Sequence, residues 1–111
     1  MSRTVAISIL ILAAALEATG DAIIRMGLHT HSISHRIVLF LLAALILFAY
    51  GWSVNVPPWD FGKLLGLYVV FFFLFAQLLS WILFKQVPSL SVIVGGVLIL
   101  AGGVVISLGK V

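Results

Sequence analysis

The sequence holds three acidic residues, Glu17, Asp21 and Asp60. Two of them lie within one long apolar stretch and are followed by Arg25, so Glu17, Asp21 and Arg25 stand at i, i+4 and i+8. Residues four apart are neighbours along one side of an α-helix, and acid before base is the favourable order. The spacing predicts that Arg25 neutralises Asp21, its long side chain snorkelling to the interface while reaching back. Glu17 is then left as an unpaired carboxylate. A carboxyl group in low-dielectric surroundings favours its neutral form, so it holds either a proton or a cationic ligand, and not both together. That exclusivity is the chemistry of proton–cation exchange. The neighbouring Ala13, Ala14, Ala18 and Gly20 are expected to leave room for a ligand. In the competing structural reading, Glu17 hydrogen-bonds Gln77, Ser80 or Asn55 in a packed interface.

The elements that must position this ladder follow from composition. Of 111 residues, 64% are hydrophobic and 8% charged, against ~45–50% and ~25% in soluble domains, so an integral membrane protein is expected. About 20 apolar residues span the hydrocarbon, and four stretches qualify: Val5–Ile24, Ile37–Val54, Leu64–Phe84 and Leu90–Leu108. Between them lie loops at His29–Arg36, at Asn55–Asp60 with Pro57-Pro58, and at Lys85–Ser89; two consecutive prolines cannot continue a helix. Barrel strands would alternate over ~10 residues, unlike these continuous runs. Arg3 and the run after it look superficially like a signal peptide, but the equally apolar remainder favours a retained helix. The expected fold is all-α, a four-helix transmembrane bundle in one domain. Within its first span Glu17 lies about 4 Å from the midpoint, where a charge costs at least ~2.5–3.5 kcal/mol and marks a functional candidate.

Other chemistries are disfavoured. There is no cysteine, hence no disulfide or thiolate. No phosphate loop, nucleophile elbow or HExxH motif appears, so neither an enzyme nor a cofactor is expected. Six scattered basic residues make no nucleic-acid stripe. His29, His31 and His35 fall in the first loop with no carboxylate beside them and read as solvated, with no metal site.

With four spans, Arg3, Lys63 and Lys110 fall on one side and Arg25, Arg36 and Lys85 on the other. Basic residues set orientation, and this even division expresses no preference, as expected of a chain that inserts both ways and pairs with its inverted copy. Gly62 and Gly66 form a GxxxG pair; Gly95 with Gly102, and Gly96 with Gly103, sit seven apart on the fourth helix. Small residues let helices approach closely in lipid, and the four glycines of the fourth helix, Gly95, Gly96, Gly102 and Gly103, are expected to form a dimer face. Tyr68, Gln77 and Trp81 are candidates to line a chamber, where aromatics hold cations; Phe71, Phe72 and Phe73 read as bulk facing lipid or the bundle. Trp52 and Trp59 read as interface anchors.

At these residues the chain resembles the small multidrug resistance family of the drug/metabolite transporter superfamily. Glu17 followed by Gly20 and the basic Arg25 looks like that family's first helix, and Leu78-Leu79-Ser80-Trp81, Gln86, Gly95, Leu98, Ile99, Gly102, Val104 and Ile106 are similar to its third-loop and fourth-helix pattern. The third helix departs from it. Tyr68 stands where the family has Trp, Leu65 where it has Tyr, Val70 and Phe72 replace its kink glycines, and Asp21 replaces a hydroxyl residue. The resemblance implies an antiparallel, dual-topology homodimer in the inner (plasma) membrane. Glu17 would be the shared proton and substrate site, and Trp81 a structural aromatic. The expected function is a proton-coupled antiporter exporting a small cationic or polar compound, with Asp21 and Arg25 as electrostatic modulators. The alternatives are a non-transporting or heterodimeric subunit, such as a component of a lipid-carrier flippase, and a passive channel for small solutes.

Overall fold

The computed structural model describes residues 1–109; Lys110, one member of the basic tally, lies outside the described residues. The described chain is all-helical: α1 (Arg3–His29), α2 (Ile33–Val54), α3 (Phe61–Phe84) and α4 (Leu90–Leu108). All four are long and apolar enough to cross a membrane, the pattern of a multi-pass membrane protein.

Serines start three of them. Ser2, Ser32 and Ser89 lie in extended backbone, and their hydroxyls accept from the amides of Val5, His35 and Val92, satisfying donors that a helix N-terminus leaves orphaned. These caps explain where the expected boundaries shift. Ser2 starts α1 early, and the segment from Arg25 to His29 stays helical. At 27 residues, α1 is about 40 Å long, longer than the ~30 Å hydrocarbon, so its last turns reach the interface. Ser32 starts α2 four residues before Ile37, leaving Thr30–Ser32 as the whole connection. The expected histidine loop is therefore mostly helix: His29 closes α1, His35 lies in α2, and only His31 remains in the link. The fourth helix matches its expected bounds.

α1 packs against α2 and α3, and α4 docks on α3. The resulting slab measures 49 × 34 × 19 Å, less than two helix diameters thick. Its core joins Leu10, Ala13 and Ala14 of α1 to Val54 of α2 and Leu64, Leu67 and Tyr68 of α3. The outer faces carry large apolar side chains, among them Leu45 at 72% and Phe48 at 70% exposure. Soluble monomers rarely expose contiguous patches of this kind; lipid accommodates them.

The glycines divide the seams. A Cβ on Gly20 would lie 2.5 Å from Leu47, and one on Gly27 2.6 Å from the Phe40 ring, so this pair, seven residues apart, lets α2 lie close along α1. On α4, Gly96 is covered by Phe73 and Gly103 by Val70, both of α3, whereas Gly95 and Gly102 meet nothing within 4 Å. The expected dimer face is thus halved: Gly96 and Gly103 serve packing within the chain, and Gly95 and Gly102 form the open face. The Gly62–Gly66 pair is split likewise, with Gly66 against Ile106 and Gly62 in open space.

Candidate functional site

Glu17 sits on α1 facing α3, part-buried. The Tyr68 hydroxyl donates to Glu17 Oε1 at 2.8 Å, with the Ala13 carbonyl at 3.3 Å as a second, longer acceptor. A phenol has one hydrogen to donate, and the shorter contact takes the larger share. Tyr68 is 3% exposed and held by its neighbours: its ring centroid lies 5.7 Å from that of Tyr50 and 6.4 Å from that of Phe72, the latter pair stacked. The phenol is thus fixed by rings of α2 and α3 before it reaches the carboxylate on α1. Among the described residues no protein group hydrogen-bonds Glu17 Oε2, and no side-chain polar atom is both sealed from solvent and unpartnered. One carboxylate oxygen is engaged and the other is accessible.

The partner of Glu17 is therefore Tyr68, and not Gln77, Ser80 or Asn55. Asn55 donates to the Gly51 carbonyl and Ser80 to Gln86. Gln77 lies on the side of α3 that faces α4, in a groove with Phe73 and Gly96. Trp81 is 60% exposed. Of the aromatic and amide candidates on α3, only Tyr68 joins the carboxylate. The room expected around Glu17 is also mostly filled, since Ala13, Ala14 and Gly20 are buried under neighbouring helices.

Space opens one turn further along α1. A cleft of about 470 Å³ lies between α1 and the C-terminal part of α3, lined by Ala18, Asp21, Ala22, Arg25 and His29 on one wall and by Ala76, Leu79, Ser80, Phe84 and Gln86 on the other. Asp21 is exposed in it, and the expected Asp21–Arg25 ion pair is absent: no such contact falls within 4.0 Å. Instead the Arg25 guanidinium lies over the Phe84 ring, 5.3 Å from its centroid. A cation–π contact of this kind uses none of the guanidinium's hydrogen-bonding capacity, and among the described residues its N–H groups have no hydrogen-bond acceptor. The aromatic ring, carried by the last residue of α3, takes the guanidinium from a carboxylate that neighbours Arg25 on its own helix.

The end of α3 shapes the far wall. Lys85 takes a left-handed conformation (φ 54°, ψ 37°), and the Gln86 amide turns back to the Ser80 carbonyl at 3.0 Å. A left-handed non-glycine residue costs roughly 1–2 kcal/mol. Here it brings Gln86 beside Ser80, whose hydroxyl donates to Gln86 Oε1 at 3.3 Å. His29 Nδ1 lies 2.8 Å from the Arg25 carbonyl, and the nitrogen facing a carbonyl carries the hydrogen. His29 was not foreseen, although it extends the i+4 ladder by one step beyond Arg25. The contributions of Tyr50 and Phe84 carry no comparable signal in the sequence.

No family model, no curated protein and no solved structure matches this chain.

Proposed function

We propose that the chain is a proton-coupled antiporter of the small multidrug resistance type, exporting a small cationic or polar compound across the inner membrane as an antiparallel homodimer. The observation that carries this reading is the half-engaged state of Glu17: Tyr68 fixes Oε1 at 2.8 Å while Oε2 has no protein donor among the described residues. An intramembrane carboxylate with one open oxygen accepts a proton or the positive end of a ligand, and binding one expels the other. A Glu17 bonded at both oxygens in a dry seam would do neither. The single phenolic donor holds the carboxylate in place without occupying it.

The dimer reading draws on separate features. In the sequence the basic residues divide evenly between the two sides expected of a four-span chain, α4 docks on α3 alone among the elements with substantial contact, and Gly95 and Gly102 offer an open surface for close helix approach. An inverted second copy would bring two Glu17 carboxylates to one chamber.

The test is uptake into proteoliposomes with an imposed pH gradient, using guanidinium and tetraethylammonium as probes. Glu17→Gln is expected to abolish gradient-driven uptake while the protein still elutes as a dimer; unchanged uptake overturns the assignment. Flux that persists without a gradient indicates a passive channel, and a purified chain inactive toward every probe indicates a subunit requiring a partner.

A further inference from the structure

We infer that the cleft between α1 and the end of α3 is a loading site for zwitterions, compounds carrying an ammonium and an anionic group on one short frame. This rests on the antiporter reading and narrows its substrate class. Asp21 and Arg25 line the same cleft, yet they do not neutralise each other, because Arg25 is drawn onto Phe84. A lone cation in this cleft is attracted by Asp21 and repelled by Arg25, and a lone anion meets the reverse. A ligand with both charges satisfies both walls, and it does so in one orientation.

That orientation follows from the helix. Asp21 and Arg25 stand one helical turn apart on the same side of α1 with no carboxylate–guanidinium contact within 4.0 Å, so a ligand that bridges them carries its two charges at opposite ends of a short frame. The ammonium end lies at Asp21, one turn from Glu17. The anionic end lies at Arg25, where the guanidinium N–H groups and the side-chain amide of Gln86 donate; Gln86 Oε1 is already turned toward Ser80, which leaves its NH2 directed elsewhere. The volume of about 470 Å³ falls within the usual ~300–1,000 Å³ range of small-molecule sites. Glu17 lies one turn beyond Asp21, about 6 Å along the helix axis, next to Ala18 at the end of the cleft lining.

The same charge pair occurs in the headgroup of phosphatidylethanolamine, and the experiment separates the two sources. Isothermal titration calorimetry on the purified full chain in detergent uses β-alanine and γ-aminobutyrate as zwitterions, with n-butylammonium and butyrate as single-charge controls. The better zwitterion is expected to bind at least ~10-fold more tightly than either control. Arg25→Gln should bring its affinity down to that of butylammonium, and Asp21→Asn to that of butyrate, with Arg25→Lys and Asp21→Glu retaining part of the preference. Far-ultraviolet circular dichroism and elution volume identify any variant that has lost its fold, in which case the charge-retaining variant supplies the comparison. Repeating the titration in nanodiscs of phosphatidylethanolamine or phosphatidylglycerol tells the sources apart: equal binding in both assigns the cleft to a water-soluble zwitterion, and loss only in phosphatidylethanolamine assigns it to the headgroup. Equal affinity for γ-aminobutyrate and butylammonium, indifference to Arg25→Gln, or no saturable binding of either zwitterion overturns the proposal. Because binding is read at equilibrium without a gradient, it stands or falls separately from proton-driven uptake.

Discussion

The two sides of α1 follow opposite rules. Toward α2 the helix presents Gly20 and Gly27, and Leu47 and Phe40 sit so close that an added methyl would overlap them. Toward the end of α3 the same helix presents Asp21, Arg25 and His29, and the neighbouring helix draws away to leave a cleft. One side excludes everything by shape; the other gathers the charge that lipid would not accept. In a membrane, where apolar side chains gain nothing by leaving lipid for one another, packing of small residues supplies the association, and the polar side can then be left unfilled. The tight seam thus makes the open one possible, since α1 is already anchored on its far side.

This contrast can be broken from the packed side with the largest effect. Gly27→Val inserts branched carbons against the Phe40 ring and is expected to lower stability by about 1–3 kcal/mol, read as a shift in an SDS-unfolding curve. Should the variant be as stable as the parent, the close approach of α1 and α2 is not what anchors α1. Next in size is Tyr68→Phe, which keeps the ring against Tyr50 and Phe72 but deletes the donor to Glu17. Interhelical hydrogen bonds in membranes contribute about 0.6–1.7 kcal/mol, so a stability loss of about 1 kcal/mol and a roughly tenfold fall in gradient-driven uptake are expected. A loss of stability with no change in uptake would make Tyr68 a packing residue alone. The smallest effect belongs to α4, where the same contrast recurs between adjacent glycines. Gly102→Leu projects into open space and should leave the unfolding curve of the monomer within ~0.5 kcal/mol while weakening self-association measured by energy transfer between labelled chains. Association that survives it places the dimer contact elsewhere.

Much of this architecture was legible in the residues. Four apolar runs, the Pro57-Pro58 break and the bounds of α4 follow from length and turn chemistry alone, as does the place of Glu17 in the middle of the first helix. What escaped was set by competition between elements. The Asp21–Arg25 pair is a sound inference from one helix, but Phe84 approaches from another and takes the guanidinium. Gln77 and Trp81 share a helix with Tyr68, yet they point to α4 and to the outside, because the face of α3 that meets α1 is fixed by Leu64, Leu67 and Tyr68 packing on Leu10 and Ala14. His29 was hidden by a boundary: ending the helix at Ile24 cut the ladder short, although its i+4 spacing continues unbroken. The glycines of α4 show the same limit, since spacing places Gly95 with Gly102 and Gly96 with Gly103 but does not say which pair meets α3.

Arg36 has a bearing on how orientation is to be manipulated. Its Nε donates to the Gly27 carbonyl at 3.0 Å and a terminal nitrogen to the Thr30 carbonyl at 2.8 Å, so this guanidinium closes off the C-terminal carbonyls of α1 and ties down the tight corner into α2. Removing it to bias which way the polypeptide threads the bilayer would alter charge and unpin the corner at once, and the two consequences could not be told apart. Lys85, exposed at the same end of the bundle, is the cleaner handle for that purpose when replaced by asparagine, which tolerates its left-handed backbone.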